Sequence, residues 1–201
     1  TVLFERGDRV GKKLSSTGNG QGNITNLSAS QTEYFSVNPV KGELSKEILR
    51  AENETSLDSY FKSLGVLLSA DDRGRVYPAS RQASALTDAL RFAVAQKGVD
   101  VRLSTRVCGL KKANDGFVLT LENGEQLYAE RVVLCAGGKA AKNFGTDGSA
   151  YALAQGFGHS VTPLYPSLVQ LKTDVTYTKT LKGIRINDGG LTAFMPDGDS
   201  V

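Results

Sequence analysis

An acid closes the first apolar run of the chain: Val2-Leu3-Phe4 is followed by Glu5. A short continuous apolar run reads as a buried parallel strand. A carboxylate at the carboxyl end of such a strand can accept hydrogen bonds from both hydroxyls of a ribose. A solvated loop residue is the other reading of the same acid. Next, Gly11-Lys12-Lys13-Leu14 leads to Thr17-Gly18-Asn19-Gly20-Gln21-Gly22-Asn23-Ile24-Thr25-Asn26. Glycines let the backbone approach a ligand closely, exposed N–H groups can cradle a pyrophosphate, and Lys12 and Lys13 add positive charge. A flexible surface loop accounts for the same composition. The stretch is not the dinucleotide fingerprint, because it lacks the third glycine and does not lie between a strand and a helix. The third candidate is Ala136-Gly137-Gly138, directly after Val132-Val133-Leu134-Cys135. Small residues at a strand terminus permit close contact with a dinucleotide; a plain strand-to-loop turn needs them equally.

Other reactive residues carry less. Cys108 and Cys135 sit in apolar strand-like runs and read as buried free thiols. With one histidine and no Cys-x-x-Cys, no metal site is expected. His159 reads as a structural or surface residue, Tyr77 as packing, and Lys111-Lys112 as a solvated face.

The elements that must position these residues follow from periodicity. Leu44, Ile48 and Leu49 share a helical face. Leu57, Tyr60, Phe61 and Leu64 repeat at helical spacing, and Gly65 closes that helix. Ser80 can cap the next one, whose inner stripe is Ala83, Leu86, Ala89, Leu90, Ala93 and Val94, with Gly98 at its end. The period then changes to two. Val99–Leu103, Arg106–Lys112, Phe117–Leu121 and Gln126–Ala129 read as short strands, with Asn114-Asp115-Gly116 and Asn123-Gly124 as turns. Val132-Val133-Leu134 reads as another buried strand, parallel to 2–4. Gly148 to Phe157 is a short helix. Prolines 163 and 166 mark a boundary, with new strands at Ser167–Lys172 and Ile184–Ile186. The order strand, loop, helices, β-meander, strand, helix is an α/β order.

Taken together, these segments resemble a bacterial flavoprotein family. The stretch from Glu5 to Asn26 is similar to that family's Glu-x-x-x-x-x-Gly-Arg/Lys-Lys-Leu…Thr/Ser-Gly-x-Gly-Arg-Cys-Asn-Leu-Thr-Asn signature. The family includes aminoacetone-oxidase-like and bile-acid dehydro-reductase-like FAD enzymes. Gly74-Arg75-Val76-Tyr77-Pro78-Ala79-Ser80 resembles its Gly-Arg-Val-Phe-Pro-x-Ser segment. Thr105-Arg106-Val107, Ala136-Gly137-Gly138, Gly145-Thr146-Asp147-Gly148 and Gly158–Leu164 resemble it in the same order. The resemblance covers residues 1 to about 172. It implies a partial FAD-binding Rossmann-like domain of the glutathione-reductase type over 1–163, carrying a β-meander. It further implies the beginning of an inserted β-rich substrate domain over 164–201. By the same resemblance, Glu5 binds the adenosine ribose of FAD. Lys12, Lys13, Thr17, Gly18, Asn19, Gly20 and Asn23 lie along the cofactor. Val107 meets adenine through its backbone, and Ala136, Gly137 and Gly138 approach the dinucleotide. Gln21-Gly22 departs from the family's Arg-Cys and removes a cation and a thiol near the flavin.

Composition sets the outer limits. The chain has 201 residues, 40% hydrophobic and 22% charged, which excludes a disordered or fibrous class. A net charge of +3 gives no argument for a nucleic-acid partner. No apolar run approaches the roughly 18 residues of a membrane helix. Reduced cysteines and no export signal favour the cytoplasm. The opening Thr1-Val2 lacks an initiator Met, so the chain is expected to be an internal piece of a longer protein. On that expectation the N-terminal glycine fingerprint and a C-terminal flavin segment lie elsewhere, and the remainder of the same protein is a partner. The function expected is FAD-dependent hydride transfer between flavin and a small organic substrate or NAD(P)H. The flavin does the chemistry, so no catalytic side chain is named. A flavin- or nucleotide-binding module without redox turnover is the alternative, favoured by Gln21-Gly22.

Overall fold

A computed structural model describes residues 1–29, 39–51, 54–166, 172, 174–184 and 192. The packing divides into two units, Thr1–Thr162 and Pro163–Val201. In chain order the first unit contains β1 (Val2–Phe4), β2 (Thr25–Asn26), α1 (Pro39–Ala51), α2 (Glu54–Ser63), β3 (Leu68–Ala70) and β4 (Arg75–Pro78). It continues with α3 (Ala83–Gln96), β5 (Asp100–Arg102), β6 (Val107–Lys112), β7 (Phe117–Leu121), β8 (Gln126–Ala129) and α4 (Ser149–Gln155).

β1 and β5 form a parallel pair in the register Val2↔Asp100, Leu3↔Val101 and Phe4↔Arg102. Parallel neighbours need a crossover, and α3 lies on the connection between them. The expected stripe of α3 is the buried one: Ala83 and Leu86 are fully covered, and Ala89, Leu90, Ala93 and Val94 are half-buried. Gly65 and Gly98 follow α2 and α3 with φ of +80° and +64°, the left-handed closure that glycine permits. Ser80 does not cap α3 directly. Its Oγ accepts from the Gln82 N–H at 3.4 Å, one step before the first helical residue, and Gln82 itself supplies no side-chain cap. Leu44 and Ile48 do share a face of α1, but that face is exposed.

A three-stranded sheet ordered β2-β4-β3 was not expected from periodicity. It carries the Gly74–Ser80 segment: β4 pairs antiparallel with β3 (Ala70↔Val76) and with β2 (Thr25↔Val76). The β3–β4 turn is built by Asp71, which accepts from the N–H groups of Arg73 and Arg75 and from Arg75 Nε at 2.8 Å. Phe61, Val66 and Leu86 form the core beside it, with Leu14, Ile24, Leu68 and Ala89 packed around them. Burying Leu86 completely contributes about 1.5–3 kcal/mol.

β6, β7 and β8 form the expected antiparallel meander. A register irregularity between Val107 and Gly109 sets Cys108 out of the ladder. Two expectations are corrected here. Residues 132–134 form no strand: β1 pairs with β5 in a two-stranded sheet, and no described strand offers 132–134 a ladder. Val133 is 84% exposed as a result. Cys108 and Cys135 are both exposed, Cys108 because of the bulge and Cys135 because it follows this unpaired run.

In the second unit, Val175–Thr178 is a helical turn, α5, started by Asp174, whose carboxylate accepts from the Thr176 N–H at 2.8 Å. A 3-10 turn at Lys179–Leu181 follows. The strands expected at Ser167–Lys172 and Ile184–Ile186 fall, apart from Lys172 and Ile184, outside the described residues; neither of those two is in a strand.

Candidate functional site

Glu5 stands at the carboxyl end of β1, where ligands of open α/β sheets bind. Its N–H continues the parallel ladder to the Arg102 carbonyl at 2.9 Å, and its own carbonyl accepts from Thr105 N–H at 2.9 Å. Its carboxylate accepts from the Gly7 N–H at 2.6 Å. The chain after β5 is therefore fastened to this point. Ser104 donates its N–H to the Gly7 carbonyl at 2.8 Å and does so in the left-handed region, φ +49°. A non-glycine residue there costs energy and recurs at ligand clamps. Val107, the expected adenine contact, opens β6 two residues after Thr105. Glu5 and Val107 are thus brought to the same end of the parallel pair.

The Lys12–Asn23 loop is built by packing. Leu14–Gly20 forms 3-10 turns interrupted by a kink, with Thr17 extended (φ −63°, ψ 148°) and its hydroxyl donating to the Leu14 carbonyl at 2.8 Å. Gly18, Asn19 and Gly20 then all have left-handed φ, +56°, +59° and +85°. Glycine and asparagine enter that region at least cost, so this spacing is what the reversal requires. A Cβ on Gly18 would lie 2.8 Å from the Asn23 backbone nitrogen, whereas one on Gly20 would meet nothing within 4 Å. Asn23 ties the loop to β4: its amide donates to the carbonyls of Thr25 and Val76 at 3.2 and 3.1 Å. Gly22 is buried against α3, and a Cβ there would stand 2.9 Å from both Ala83 Cα and Leu86 Cδ1. No cysteine fits at that position, so the departure at Gly22 goes with a close approach of α3. Lys13 is exposed. Lys12 pairs with Asp8 at 2.6 Å, and that ammonium holds the Asp8 carboxyl below its usual range.

Ala136, Gly137 and Gly138 lie in irregular, largely exposed chain rather than at a strand end. Gly137 has φ +74° and rests on the Thr146 methyl, and Gly138 lies against the Tyr151 hydroxyl. The following loop returns to β1. Arg6 donates to Asp147 Oδ2 at 2.5 Å and to the Gly145 carbonyl. Asp147 Oδ1 accepts from Ser149 N–H at 3.0 Å. The Arg6 guanidinium and the Ser149 hydrogen bonds hold the Asp147 carboxyl far below its ordinary value of 3.8. Arg106 reaches toward Asp147 (3.9 Å) and Glu122 (3.5 Å), and its Nε is buried without a partner. Arg6 was not singled out from sequence, and Arg106 lay inside Thr105-Arg106-Val107, noted only for its resemblance. Asp147 lay inside a segment noted only for its resemblance, and nothing in spacing links positions 141 residues apart.

The three clues sit on one unit: Glu5 at the carboxyl end of β1, the glycine turn on the loop that follows it, and the Gly137 turn resting on Thr146, next to the Asp147 that Arg6 binds. A carboxylate, a left-handed glycine turn with open space beside Gly20, and a second glycine turn fit a dinucleotide cofactor. Among the described residues no cluster of His, Cys, Asp and Glu could hold a metal ion.

Over 170 residues the chain is 36% identical to the 3-dehydro-bile acid delta(4,6)-reductase of Clostridium scindens, covering 85% of this chain and 40% of that protein. It is 28% identical over 174 residues to the ribosomal RNA dihydrouridine synthase of Escherichia coli, covering 84% of this chain and 41% of that protein. The chain thus spans about two fifths of the length of these curated relatives. A solved structure of glycine oxidase from Geobacillus kaustophilus superposes with a TM-score of 0.46 at 18% identity, covering 79% of this chain and 52% of that one. A family model described as the HI0933-like protein Rossmann domain matches residues 1–192, and the chain belongs to that family.

Proposed function

We propose that this chain is the FAD-holding part of a flavin-dependent oxidoreductase. The observation that carries the reading is Glu5: an ionisable acid at the carboxyl end of a parallel strand, with the 103–107 turn fastened to its backbone. Glu5 would accept from the adenosine ribose, and the Val107 backbone would face the adenine. Lys12, Lys13, Thr17, Gly18, Asn19, Gly20 and Asn23 would line the cofactor's polar chain, and Ala136, Gly137 and Gly138 would approach it closely. Bound FAD supplies hydride transfer, and the chain's residues bind and orient it. Residues 1–163 hold the cofactor, and 164–201 begin a substrate domain. NAD(P)H serves as electron donor, and the substrate is a small organic molecule, by analogy with the relative named as a bile-acid reductase.

A second reading takes its substrate from the relatives named as ribosomal RNA dihydrouridine synthases. Both readings share the flavin site. They separate in one assay: NAD(P)H oxidation by the full-length protein with an unsaturated steroid or with ribosomal RNA. A cytoplasmic setting suits either. Among the described residues no helix is long and apolar enough to cross a membrane.

Glu5→Ala tests the flavin reading. Losing a charged acceptor costs about 1.5–3 kcal/mol, so FAD affinity of the full-length protein should fall at least about tenfold. An unchanged flavin dissociation constant removes Glu5 from the site.

A further inference from the structure

We propose that Arg6 and Asp147 form a latch that positions two parts of the cofactor site, the Glu5 end of β1 and the Ala136–Gly138 turn. The latch rests on the flavin reading above. Arg6 follows Glu5 directly, so fixing its side chain restrains the backbone from which Glu5 projects. Its guanidinium crosses 141 residues to bond Asp147 at 2.5 Å and also bonds the Gly145 carbonyl. The second Asp147 oxygen accepts from Ser149, the first residue of α4. One acid therefore joins the end of β1 to the start of a helix.

Thr146 carries the constraint onward. Its hydroxyl donates to the carbonyls of Ala140 and Ala141, the latter at 3.0 Å. Its methyl lies under Gly137, where an added Cβ would meet it at 3.3 Å. Gly138 is held from α4, with the Tyr151 hydroxyl 2.9 Å from where its Cβ would be. The path Glu5–Arg6–Asp147–Thr146–Gly137 is continuous in covalent bonds and contacts. Arg106 adds a second cation to the same acid. With its Nη2 3.9 Å from Asp147, it sets a second guanidinium beside the first. Neutralising Asp147 removes the acid between the two guanidiniums and leaves Arg6 with the Gly145 carbonyl and Arg106 with Glu122, which weakens the tie between the loop and β1. Neither Arg6 nor Asp147 is placed against the ligand, so both are positioning residues.

The test uses the full-length protein and reads FAD affinity, FAD release rate and the apoprotein's melting temperature. Asp147→Asn and Arg6→Gln should each weaken FAD binding about tenfold and speed its release. Arg6→Lys keeps the charge and should retain most of the affinity. Thr146→Val keeps the volume, removes the hydroxyl and should loosen FAD by a smaller factor, giving a readout should the charge variants not fold. Variants that melt earlier yet release FAD at the wild-type rate would show a merely structural pair and overturn the latch. Wild-type protein that binds FAD, with every variant binding it equally, overturns the latch alone. Wild-type protein that holds no FAD overturns the flavin reading and the latch with it.

Discussion

Replacing Gly22 by alanine should separate packing from backbone strain in the loop. Gly22 has φ +79°, and its missing Cβ leaves room for α3: Ala83 Cα and Leu86 Cδ1 would each lie 2.9 Å from it. Leu86 Cδ1 is the end of a side chain and can turn away. Ala83 Cα is backbone at the first residue of α3, so relief there requires the loop and helix to part. An L-residue held in the left-handed region costs about 1–2 kcal/mol. Overpacking a filled core costs about 1–3 kcal/mol more. The sum, about 2–5 kcal/mol, is a large part of the roughly 5–15 kcal/mol that holds a domain folded. Gly20→Ala is the control: φ is +85° but the Cβ meets nothing within 4 Å, so only the strain of about 1–2 kcal/mol applies. Urea unfolding of both variants, with unchanged m-values, measures the two costs. In a chain of this size each kcal/mol shifts the melting temperature by about 2–4 °C. Equal destabilisation by the two variants would refute the close approach of α3 to the loop.

Two further outcomes follow from side-chain environments. The Asp147 carboxyl is depressed below its unfolded value of 3.8, so the folded state binds fewer protons than the unfolded one in the acid range. Its stabilising effect is complete above that value and is lost as pH falls below about 4. The stability gap between wild type and Asp147→Asn should hold steady from pH 7 to 5 and shrink towards pH 3 in urea titrations; a gap independent of pH refutes the pairing with Arg6. Cys108 and Cys135 are exposed and unpaired, so two thiols per chain should react with Ellman's reagent without denaturant. Fewer than two would show that one is covered.

Much of the fold was legible because it is local. The stripe of α3, the meander turns and the closing glycines are short-range patterns, and each corresponds to an observed element. Residues 132–134 show the limit of that logic. Val-Val-Leu reads as a strand wherever it occurs, but a strand exists by its ladder, and no described neighbour supplies one. The buried-thiol expectation failed with it, since Cys135 followed the run outward and a register irregularity displaced Cys108. The β2-β4-β3 sheet was missed because its strands, two to four residues long, are neither a continuous apolar run nor a sustained alternation: Thr25-Asn26, Leu68-Ser69-Ala70 and Arg75-Val76-Tyr77-Pro78. Of the candidate site, Glu5 and the glycines were visible because they end a run or cluster in sequence. Arg6 and Asp147 were not, because nothing in a linear pattern links an arginine at one end of the domain to an aspartate 141 residues on.

The parts of the candidate site are held by different forces. The Lys12–Asn23 loop is held by apolar and steric contact: Leu14 and Ile24 pack on the Phe61, Val66 and Leu86 core, and Gly11 and Gly22 let Thr87, Ala83 and Leu86 approach. Among the described residues its ion pair, Lys12 with Asp8, is at the surface and worth little. The 136–148 segment has its side chains largely exposed and meets β1 through the Arg6 guanidinium. Dispersion and burial do not respond to salt as charges do. The loop should therefore stay docked under conditions that free the 136–148 segment, and limited proteolysis at rising ionic strength should cut within 136–148 before it cuts the Lys12–Asn23 loop. Glu5 stands between these two regimes. Its backbone belongs to the β1–β5 ladder, and its neighbour Arg6 belongs to the electrostatic one. A single residue step along the chain thus joins the part of the candidate site held by packing and backbone ladder to the part held by the Arg6 guanidinium.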